Sequence, residues 1–361
     1  MRIKKATKKY ESWLARNIAL VPADLELKHL RMGEAPFPFL RSTFYRWAQV
    51  WPGACPDLAK APRVLSAGDL HVENFGTWRD AEGRLIWGVN DFDEAFPMAY
   101  TADLVRLAAS AHLAIAVGHL ALTPQAACRS ILAGYREGLD EGGKPFVLEE
   151  EHKWLREAVT GELRDPVHFW GKMNALPTVR GDIPKSARKA LEELLPERGL
   201  IYRVAHRVAG LGSLGRERYV AIADWGGGRV AREAKAMAPS ACVWANEGKG
   251  PRKIFYEDII SKAARAVDPY LHFRGKWIVR RLSPHCSRID LAALAEKRDE
   301  ERLLYAMGFE TANIHLGSKN AIKAVRRDLG KRKPDWLHQA AHAMSQAVLK
   351  DWEEWKKESG K

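Results

Sequence analysis

An aspartate and an asparagine in one short segment are the first residues whose types and spacing indicate chemistry. Asp69 and Asn74 belong to the segment GDLHVENFG, which follows a short apolar run. Phosphoryl transfer uses such a pair, because a carboxylate accepts the proton of the attacking hydroxyl while an amide oxygen nearby binds magnesium. His71, between them, is a candidate to orient Asp69 or to contact a phosphate. The alternative is that Asp69 and Asn74 cap backbone groups of an ordinary loop.

A second acidic segment, NDFDEA, contains the further carboxylate that a magnesium site of this kind needs. Asp91 directly follows residues 85–89, whose apolar character predicts a strand. Acidic residues are common in loops, so neither segment alone is specific. Together, each after a predicted strand, they favour a metal-dependent active site.

A glycine-rich segment much later in the chain, GLGSLG, predicts a nucleotide-binding loop. Gly210, Gly212 and Gly215 fit the pattern G-x-G-x-x-G, with Ser213 inside it. A dinucleotide-binding unit would begin a helix at the third glycine, whereas residues 216–225 alternate like a strand. A glycine loop between antiparallel strands is the protein-kinase arrangement, in which the loop covers the phosphates.

A lysine on the next predicted strand completes the expected nucleotide contacts. Lys235 would neutralise the α- and β-phosphates, and Glu257, on a predicted helix over residues 256–267, would pair with it. The ordinary alternatives are a solvated strand lysine and an exposed helix glutamate. Arg280, Arg281 and His315 are expected to have surface or packing roles.

The two acidic segments resemble the catalytic loop and metal motif of aminoglycoside and choline phosphotransferases, the small-molecule branch of the protein-kinase-like superfamily. The resemblance implies Asp69 as catalytic base, Asn74 and Asp91 as magnesium ligands, and Asp93 as a second aspartate ligand. The gap from Asn74 to Asp91 (91 − 74 = 17) implies an enlarged hairpin between the two loops. In a kinase the glycine loop comes before the catalytic loop, so the reversed order here implies a circular permutation.

The order of five motifs is also similar to that of the bacterial domain of unknown function family 2252. That family brings no known substrate with it. The five motifs are RMGEAPFPFLR at residues 31–41, GDLHVENFG at 68–76, NDFDEA at 90–95, VAGLGSLG at 208–215 and KAMAPS at 235–240.

The elements that must position these motifs predict an α+β fold with two lobes. Residues 1–195 are expected to form a mostly helical catalytic lobe, 196–288 a β-rich nucleotide lobe, and 289–361 helices that pack back on the first lobe. Helical spacing predicts further helices over 38–51, from Asp103 to about residue 120 with Asp103 as N-cap, from Thr123 to about residue 139, and over 290–317 and 335–357.

Composition limits the class of protein. The chain has 361 residues and a net charge of +13, which favours anionic partners, and no segment is apolar enough to predict a membrane partner. The N-terminus lacks the apolar core of a secretory signal, so we expect a cytoplasmic protein. The four cysteines have no metal-ligand spacing, which predicts free, mostly buried thiols and neither zinc nor disulfides; they are Cys55, Cys128, Cys242 and Cys286.

The expected function is transfer of a phosphoryl group from ATP, with Mg²⁺, to an unidentified hydroxyl of a small molecule or a protein. Nucleotidyl transfer on the same fold would follow if ATP were bound in the reverse direction. A different class is a non-catalytic nucleic-acid-binding protein, which 13 tryptophans and the basic run over residues 323–333 would suit. A pseudokinase is disfavoured by the intact set of catalytic residues.

Overall fold

The computed structural model describes residues 1–149, 151–159, 165–284, 286 and 299–359. The fold is α+β, with helices and three small antiparallel sheets. The helices are α1 (Ile3–Ala15), α2 (Pro22–Glu34), α3 (Pro36–Ser42), α4 (Phe44–Ala54), α5 (Pro56–Ala59), α6 (Tyr100–Ala116), α7 (Pro124–Glu141), α8 (Lys153–Val159), α9 (Pro166–Asn174), α10 (Lys185–Glu192), α11 (Ala241–Ala245), α12 (Tyr256–Lys262), α13 (Glu300–His315), α14 (Lys319–Lys331) and α15 (Trp336–Ser359). The strands are β1 (Arg63–Ser66), β2 (Phe75–Arg79), β3 (Leu85–Val89), β4 (Phe96–Ala99), β5 (Phe146–Val147), β6 (Arg203–His206), β7 (Arg218–Trp225), β8 (Gly228–Ala236), β9 (His272–Arg274) and β10 (Trp277–Leu282).

The largest core is helical and is built around α6, α7, α13 and α15. Helix α6 is apolar on nearly every side and is buried along most of its length. Helices α7 and α13 approach closely at two glycines: a Cβ at Gly134 would lie 1.9 Å from the Tyr305 carbonyl oxygen, and one at Gly308 would lie 2.0 Å from that of Ile131. Helix α15 lies along α6. The helices that come after the five-stranded sheet in sequence therefore pack against helices that come before it.

The five-stranded sheet has the order β6-β7-β8-β10-β9, and its neighbouring strands are antiparallel. The β7–β8 hairpin turns at Gly226 and Gly227, both of which have positive φ. The register places Arg218 of β7 opposite Lys235 of β8. One face of this sheet forms a second, smaller core with Met173 of α9.

The two smaller sheets hold the acidic segments at strand ends. Residues 67–74 join β1 to β2, and residues 90–95 join β3 to β4. The predicted strand at 85–89 is confirmed as β3, and the hairpin between the two acidic segments is β2–β3. The Asn90 N–H donates to the Asn74 carbonyl oxygen at 3.2 Å, so the end of the first loop lies beside the start of the second.

Two helix predictions in the first half of the chain are wrong in detail. Residues 38–51 do not form one helix, because α3 ends at Ser42 and α4 begins after Thr43. The hydroxyls of Ser42 and Thr43 donate to the carbonyl oxygens of Pro38 and Phe39, which gives the backbone an alternative to the continuous helix. Asp103 is not an N-cap, because α6 already begins at Tyr100.

The later helices agree better with the sequence pattern. Thr123 caps α7 through a hydrogen bond from the Ala126 N–H. Helix α12 ends at Lys262, shorter than the predicted 256–267. Residues 290–298 of the predicted helix 290–317 lie outside the described residues, and its described part is α13. Among the helices that the structure describes, none has the length and apolar character to cross a bilayer.

Candidate active site

The GDLHVENFG segment, the NDFDEA segment and the glycine loop meet at one small cavity of about 40 Å³. A Cβ at Gly212 would lie 3.3 Å from Asp69 Oδ2 and 3.0 Å from the Arg41 carbonyl oxygen, so a larger residue would require these neighbours to shift by a few tenths of an ångström. The sequence-predicted residues that line the cavity are Asp69, His71, Asn74, Asp91, Asp93, Gly210, Gly212 and Ser213.

Gly215 has a different part in the glycine loop. Its φ is +94°, and its carbonyl oxygen accepts a hydrogen bond from the Val21 N–H at 2.8 Å. A Cβ at this position would lie 2.3 Å from Leu25 Cδ2 of α2. Gly215 therefore packs the end of the loop against α2, and it is not among the residues lining the cavity.

Asp69 is held by a buried arginine. Arg106 donates through Nε to Asp69 Oδ1 at 2.8 Å, and its guanidinium lies over the rings of Phe44 and Trp47. Burial raises the pKa of Asp69, while Arg106 opposes that rise. Because Arg106 engages Oδ1, the other oxygen is directed towards Gly212 and the cavity. A carboxylate held in this way can accept a proton from a substrate hydroxyl.

Asn74 joins the two acidic loops through its side-chain amide group. Its side-chain amide donates to the carbonyl oxygens of Asp69 and Asp91, each at 3.0 Å. Its Oδ1 is buried and has no hydrogen-bond partner among the described residues. A buried acceptor without a partner costs folding free energy, so an oxygen kept this way suits a cation.

Lys235 is fully buried, and its ammonium group contacts the NDFDEA segment. Its Nζ lies 2.6 and 2.7 Å from the two Asp93 carboxylate oxygens and 3.4 Å from Asp91 Oδ1. Burial lowers the pKa of Lys235, and the two aspartates oppose that effect. A second cation, Arg216, lies 3.4 Å from Asp93 Oδ2 and 3.0 Å from Glu94 Oε1.

The carboxylate of Glu94 binds the C-terminal end of the segment KAMAPS, which begins at Lys235. Its carboxylate accepts hydrogen bonds from the Ala241 N–H at 2.6 Å and the Ser240 hydroxyl at 3.1 Å. Burial raises the pKa of Glu94 to about 7, although Arg216 and the Ala241 N–H oppose the rise. Lys235 and Ser240, at the two ends of this segment, therefore both bind the NDFDEA loop.

The expected pairing of Glu257 with Lys235 needs correction. Glu257 is exposed on α12, and the described carboxylates in ion-pair contact with Lys235 belong to Asp91 and Asp93. The buried side of α12 carries Tyr256, whose hydroxyl donates to the Asn90 carbonyl oxygen at 3.2 Å. Adjacent helix positions point about 100° apart, which turns Glu257 away from the site.

His71 stabilises the turn in the loop over residues 67–74. It is buried, lines the cavity, and accepts a hydrogen bond from the Glu73 N–H at Nδ1, 3.2 Å away. Glu73 in turn forms an ion pair with Arg41, the last residue of the first motif. Lys28 of α2 donates to the Gly212 carbonyl oxygen at 3.0 Å, and burial lowers its pKa to about 8.

A larger cavity of about 340 Å³ adjoins the first and shares Gly210 with it. It lies against one face of the five-stranded sheet, where β7, β8 and β10 contribute Arg218, Glu233 and Arg280. Apolar and aromatic side chains from α9 and from the NDFD segment, including Phe169 and Phe92, form other parts of its wall. The charged residues lining it are Lys172, Arg207, Arg218, Arg265, Arg280, Arg281, Glu233 and Asp268, which are six basic and two acidic.

Glu233 holds three of these arginines in place. Its carboxylate accepts from Arg207 at 2.5 Å and from Arg218 at 2.7 Å, and Arg280 Nε lies 3.7 Å away. Burial alone would raise the pKa of Glu233, but the three guanidinium groups together hold it well below its usual range. One carboxylate beside three arginines leaves this wall with net positive charge.

The expected packing role is confirmed for His315. Arg280 and Arg281 line the large cavity. His315 is fully buried, with Nε2 3.1 Å from Asp103 Oδ2 and Nδ1 2.9 Å from the Tyr135 hydroxyl. Asp103 also accepts hydrogen bonds from the N–H groups of Ala67 and Gly68, and these bonds anchor the start of the loop over residues 67–74.

The chain belongs to a family of uncharacterised proteins conserved in bacteria, DUF2252. The family profile matches residues 20–167 and 174–358, which contain both acidic segments, the glycine loop and Lys235. No curated protein and no solved structure matches the chain.

Proposed function

We propose that the protein is an ATP- and Mg²⁺-dependent phosphotransferase with a circularly permuted, protein-kinase-like active site. The observation that carries the proposal is the meeting of Lys235 and Asp91, whose Nζ and Oδ1 atoms lie 3.4 Å apart across 144 positions of sequence. One triphosphate must reach both a lysine and a metal ligand, so such residues have to face the same cleft. The glycine loop lines the same cavity as Asp91.

The position of these residues in the large sheet supports the kinase comparison. The glycine loop joins β6 to β7, and Lys235 lies on β8, which is the third strand of this sheet in chain order. Protein kinases likewise have the glycine loop between their first two strands and the lysine on the third. The order of the two lobes along the chain differs, but an active site depends on spatial arrangement and not on sequence order.

The acidic loops fit a magnesium ion. Mg²⁺ prefers oxygen ligands, and Asn74, whose Oδ1 is buried without a hydrogen-bond partner among the described residues, lines the small cavity together with Asp91. Both oxygens of Asp93 accept from Lys235, so the lysine competes with the ion for Asp93, and movement of the lysine towards the nucleotide would favour Asp93 as a further ligand. When bound, the ion would offset the negative charge of the phosphates.

The chain's own residues then have defined tasks. Asp69 accepts the proton of the acceptor hydroxyl through the oxygen directed at Gly212, while Arg106 holds its other oxygen. Lys235 exchanges part of its contact with Asp93 for a phosphate oxygen. The large cavity beside Gly210 has the size and mixed apolar and cationic lining that a nucleotide requires.

Nucleotidyl transfer is a second candidate, which the arginines of the large cavity favour. A base needs apolar walls and a few hydrogen bonds, whereas six basic side chains suit a polyphosphate. If the β- and γ-phosphates were bound there, the α-phosphate would be the one nearest Asp69 and Asp91. The acceptor would then receive AMP, and pyrophosphate would leave.

The nucleic-acid alternative has less support from the distribution of charge. The basic run over 323–333 falls largely on α14, which buries Val325 and Leu329 and exposes Lys323, Arg327 and Lys331 to solvent. This is the pattern of an ordinary amphipathic surface helix. Basic residues instead line the large cavity, which adjoins the small cavity that Asp91 lines.

Identification of the nucleotide products tests the proposal and separates the two transfers. The protein is incubated with ATP and Mg²⁺, and nucleotides and protein are analysed by mass spectrometry. Formation of ADP supports phosphoryl transfer or hydrolysis, and AMP with pyrophosphate supports nucleotidyl transfer. Asp69→Asn is expected to lose the activity, and Glu257→Gln, on the exposed side of α12, to keep it. Failure of ATP to bind, with or without Mg²⁺, would overturn both candidates.

A further inference from the structure

Three helices bring a cysteine and two histidines together at a distance from the active-site cavities. His112 lies on α6, Cys128 on α7 and His338 on α15. One potential ligand atom from each lies within 4.8 Å of the others. The spacing of the four cysteines in sequence does not predict zinc, but the fold adds histidines from two other helices to Cys128.

The distances suit a tetrahedral ion. His112 Nε2 lies 3.4 Å from Cys128 Sγ. With Zn–S bonds of about 2.3 Å and Zn–N bonds of about 2.0 Å, two ligands of a tetrahedral zinc are separated by about 3.5 Å. Burial also suits a bound ion, since Cys128 and His112 are 3% and 8% exposed.

The two histidines differ in their hydrogen bonding. His112 forms a hydrogen bond with the backbone of Pro124, and because proline has no N–H, the imidazole is the donor. A histidine that donates to a carbonyl oxygen presents the lone pair of its other nitrogen, as metal-bound histidines do. His338 Nδ1 is buried and has no hydrogen-bond partner among the described residues.

The outer side of the cluster lies near an exposed histidine. His342 lies one helical turn after His338 on α15, is exposed, and has its ring centroid 6.5 Å from that of His338. Positions four apart lie on the same face of a helix. An ion could therefore enter from this face without unfolding α15.

We propose that Cys128, His112 and His338 form a binding site for a zinc-class divalent cation, with the fourth coordination position open to solvent. Thiolate and imidazole ligands favour Zn²⁺ over Mg²⁺, so this site is chemically distinct from the acidic one. The ion would connect α15 to α6 and α7. Helix α6 also carries Arg106, six residues before His112, so the same ion would brace the helix that holds Asp69.

Cobalt is a suitable probe, because Co²⁺ replaces Zn²⁺ and absorbs light when bound to thiolate. The metal-free full-length protein is titrated with Co²⁺, and a thiolate-to-cobalt charge-transfer band with the visible bands of tetrahedral cobalt is expected. Added Zn²⁺ should abolish both. No charge-transfer band in the folded protein, or a band that Zn²⁺ does not displace, would overturn the proposal.

Variants test the assigned ligands. Cys128→Ser is expected to lose the charge-transfer band, and His112→Ala and His338→Ala to weaken Co²⁺ binding at least about tenfold. Cys55→Ser, which changes another buried thiol, and His342→Ala are the matched controls and should bind as the wild type does. Equal losses in His338→Ala and His342→Ala would contradict the ligand set. In the wild type, Zn²⁺ should also protect Cys128 from alkylation, and unchanged alkylation would count against the site even if Cys128→Ser failed to fold.

Discussion

Lys235 Nζ lies 2.6 Å from Asp93 Oδ1, although 142 positions separate the two residues. This ion pair joins the five-stranded sheet to residues 90–95, the loop between β3 and β4. The lysine is fully buried, and Arg216 is the other described cation in ion-pair contact with Asp93. The pair therefore combines a structural contact with a charge that can be shared with a nucleotide.

Lys235→Met is expected to weaken ATP binding and to destabilise the fold. The variant removes the cation that offsets phosphate charge, and it leaves Asp93 with Arg216 at 3.4 Å as its ion-pair partner. Breaking a buried pair costs about 3–5 kcal/mol, and Arg216 should keep the loss at the lower end. Calorimetric ATP titration and urea unfolding measure the two effects. Lys249→Met, at an exposed position, is the control; ATP affinity equal to wild type in Lys235→Met would remove the lysine from the site.

Asp91→Asn is expected to abolish Mg²⁺-dependent ATP turnover while the fold remains intact. The amide keeps the shape of the carboxylate but loses the charge that holds the ion between phosphates. The measurement is ATP affinity with and without Mg²⁺, together with turnover. The gain in affinity that Mg²⁺ gives the wild type should disappear. Wild-type turnover in Asp91→Asn would show that the metal assignment is wrong.

Much of the site could be predicted because its parts are local. The GDLHVEN and NDFDEA segments each follow a strand, and a buried strand such as β3 is visible as an apolar run in sequence. The glycine loop and Lys235 are likewise recognisable within one run of strands. Their meeting in space follows from the tertiary fold, and the kinase comparison anticipated it through the chemistry of one shared triphosphate.

The residues that sequence reasoning missed are those supplied by distant elements. Arg106 and Lys28 lie on helices, where an arginine or lysine resembles any solvated residue. Arg216 directly follows the glycine motif, and that adjacency was the available signal for it. The register of three strands brings together the arginines of the large cavity. The His112–Cys128–His338 cluster likewise requires three helices to pack together. Glu257 was misassigned because periodicity alone cannot tell which side of a seven-residue helix is buried.

Arg106→Met is expected to lower kcat for ATP turnover with little change in KM for ATP. Arg106 donates directly to Asp69 and is packed against the rings of Phe44 and Trp47, so its loss should disturb the position of the proton acceptor more than ATP binding. Arg106→Lys should restore part of kcat by keeping the charge. Steady-state kinetics provide both constants.

A matched control separates positioning from stability. Arg46 forms a half-buried ion pair with Asp351 and is not among the residues lining either active-site cavity. Arg46→Met should lower the melting temperature while leaving kcat per folded molecule unchanged. If Arg46→Met and Arg106→Met lowered kcat equally, Arg106 would be a structural residue and not a positioning one.

Glu310→Gln is expected to reduce the dependence of stability on pH. Glu310 is buried on α13, where its carboxylate accepts from the Val89 N–H at 3.2 Å and the Asn313 side-chain amide at 2.8 Å. Burial raises the pKa of Glu310 to about 7, although Arg265, the charged group facing it, opposes the rise. A carboxyl whose folded pKa lies above its unfolded value stabilises the protein below the unfolded pKa, and this stabilisation is lost as pH rises through about 7.

The expected loss is on the order of 3 kcal/mol between about pH 5 and pH 8, from a shift of about 2.5 pKa units. Glutamine cannot ionise, so the free energy of unfolding of Glu310→Gln should change less over this range. The variant also places an amide NH₂ against the Asn313 amide, which lowers stability by a similar amount at every pH. Urea unfolding at several pH values separates the constant offset from the slope. Glu301→Gln, exposed on the same helix, should keep the wild-type slope, and an unchanged slope in Glu310→Gln would mean that Glu310 is ionised throughout.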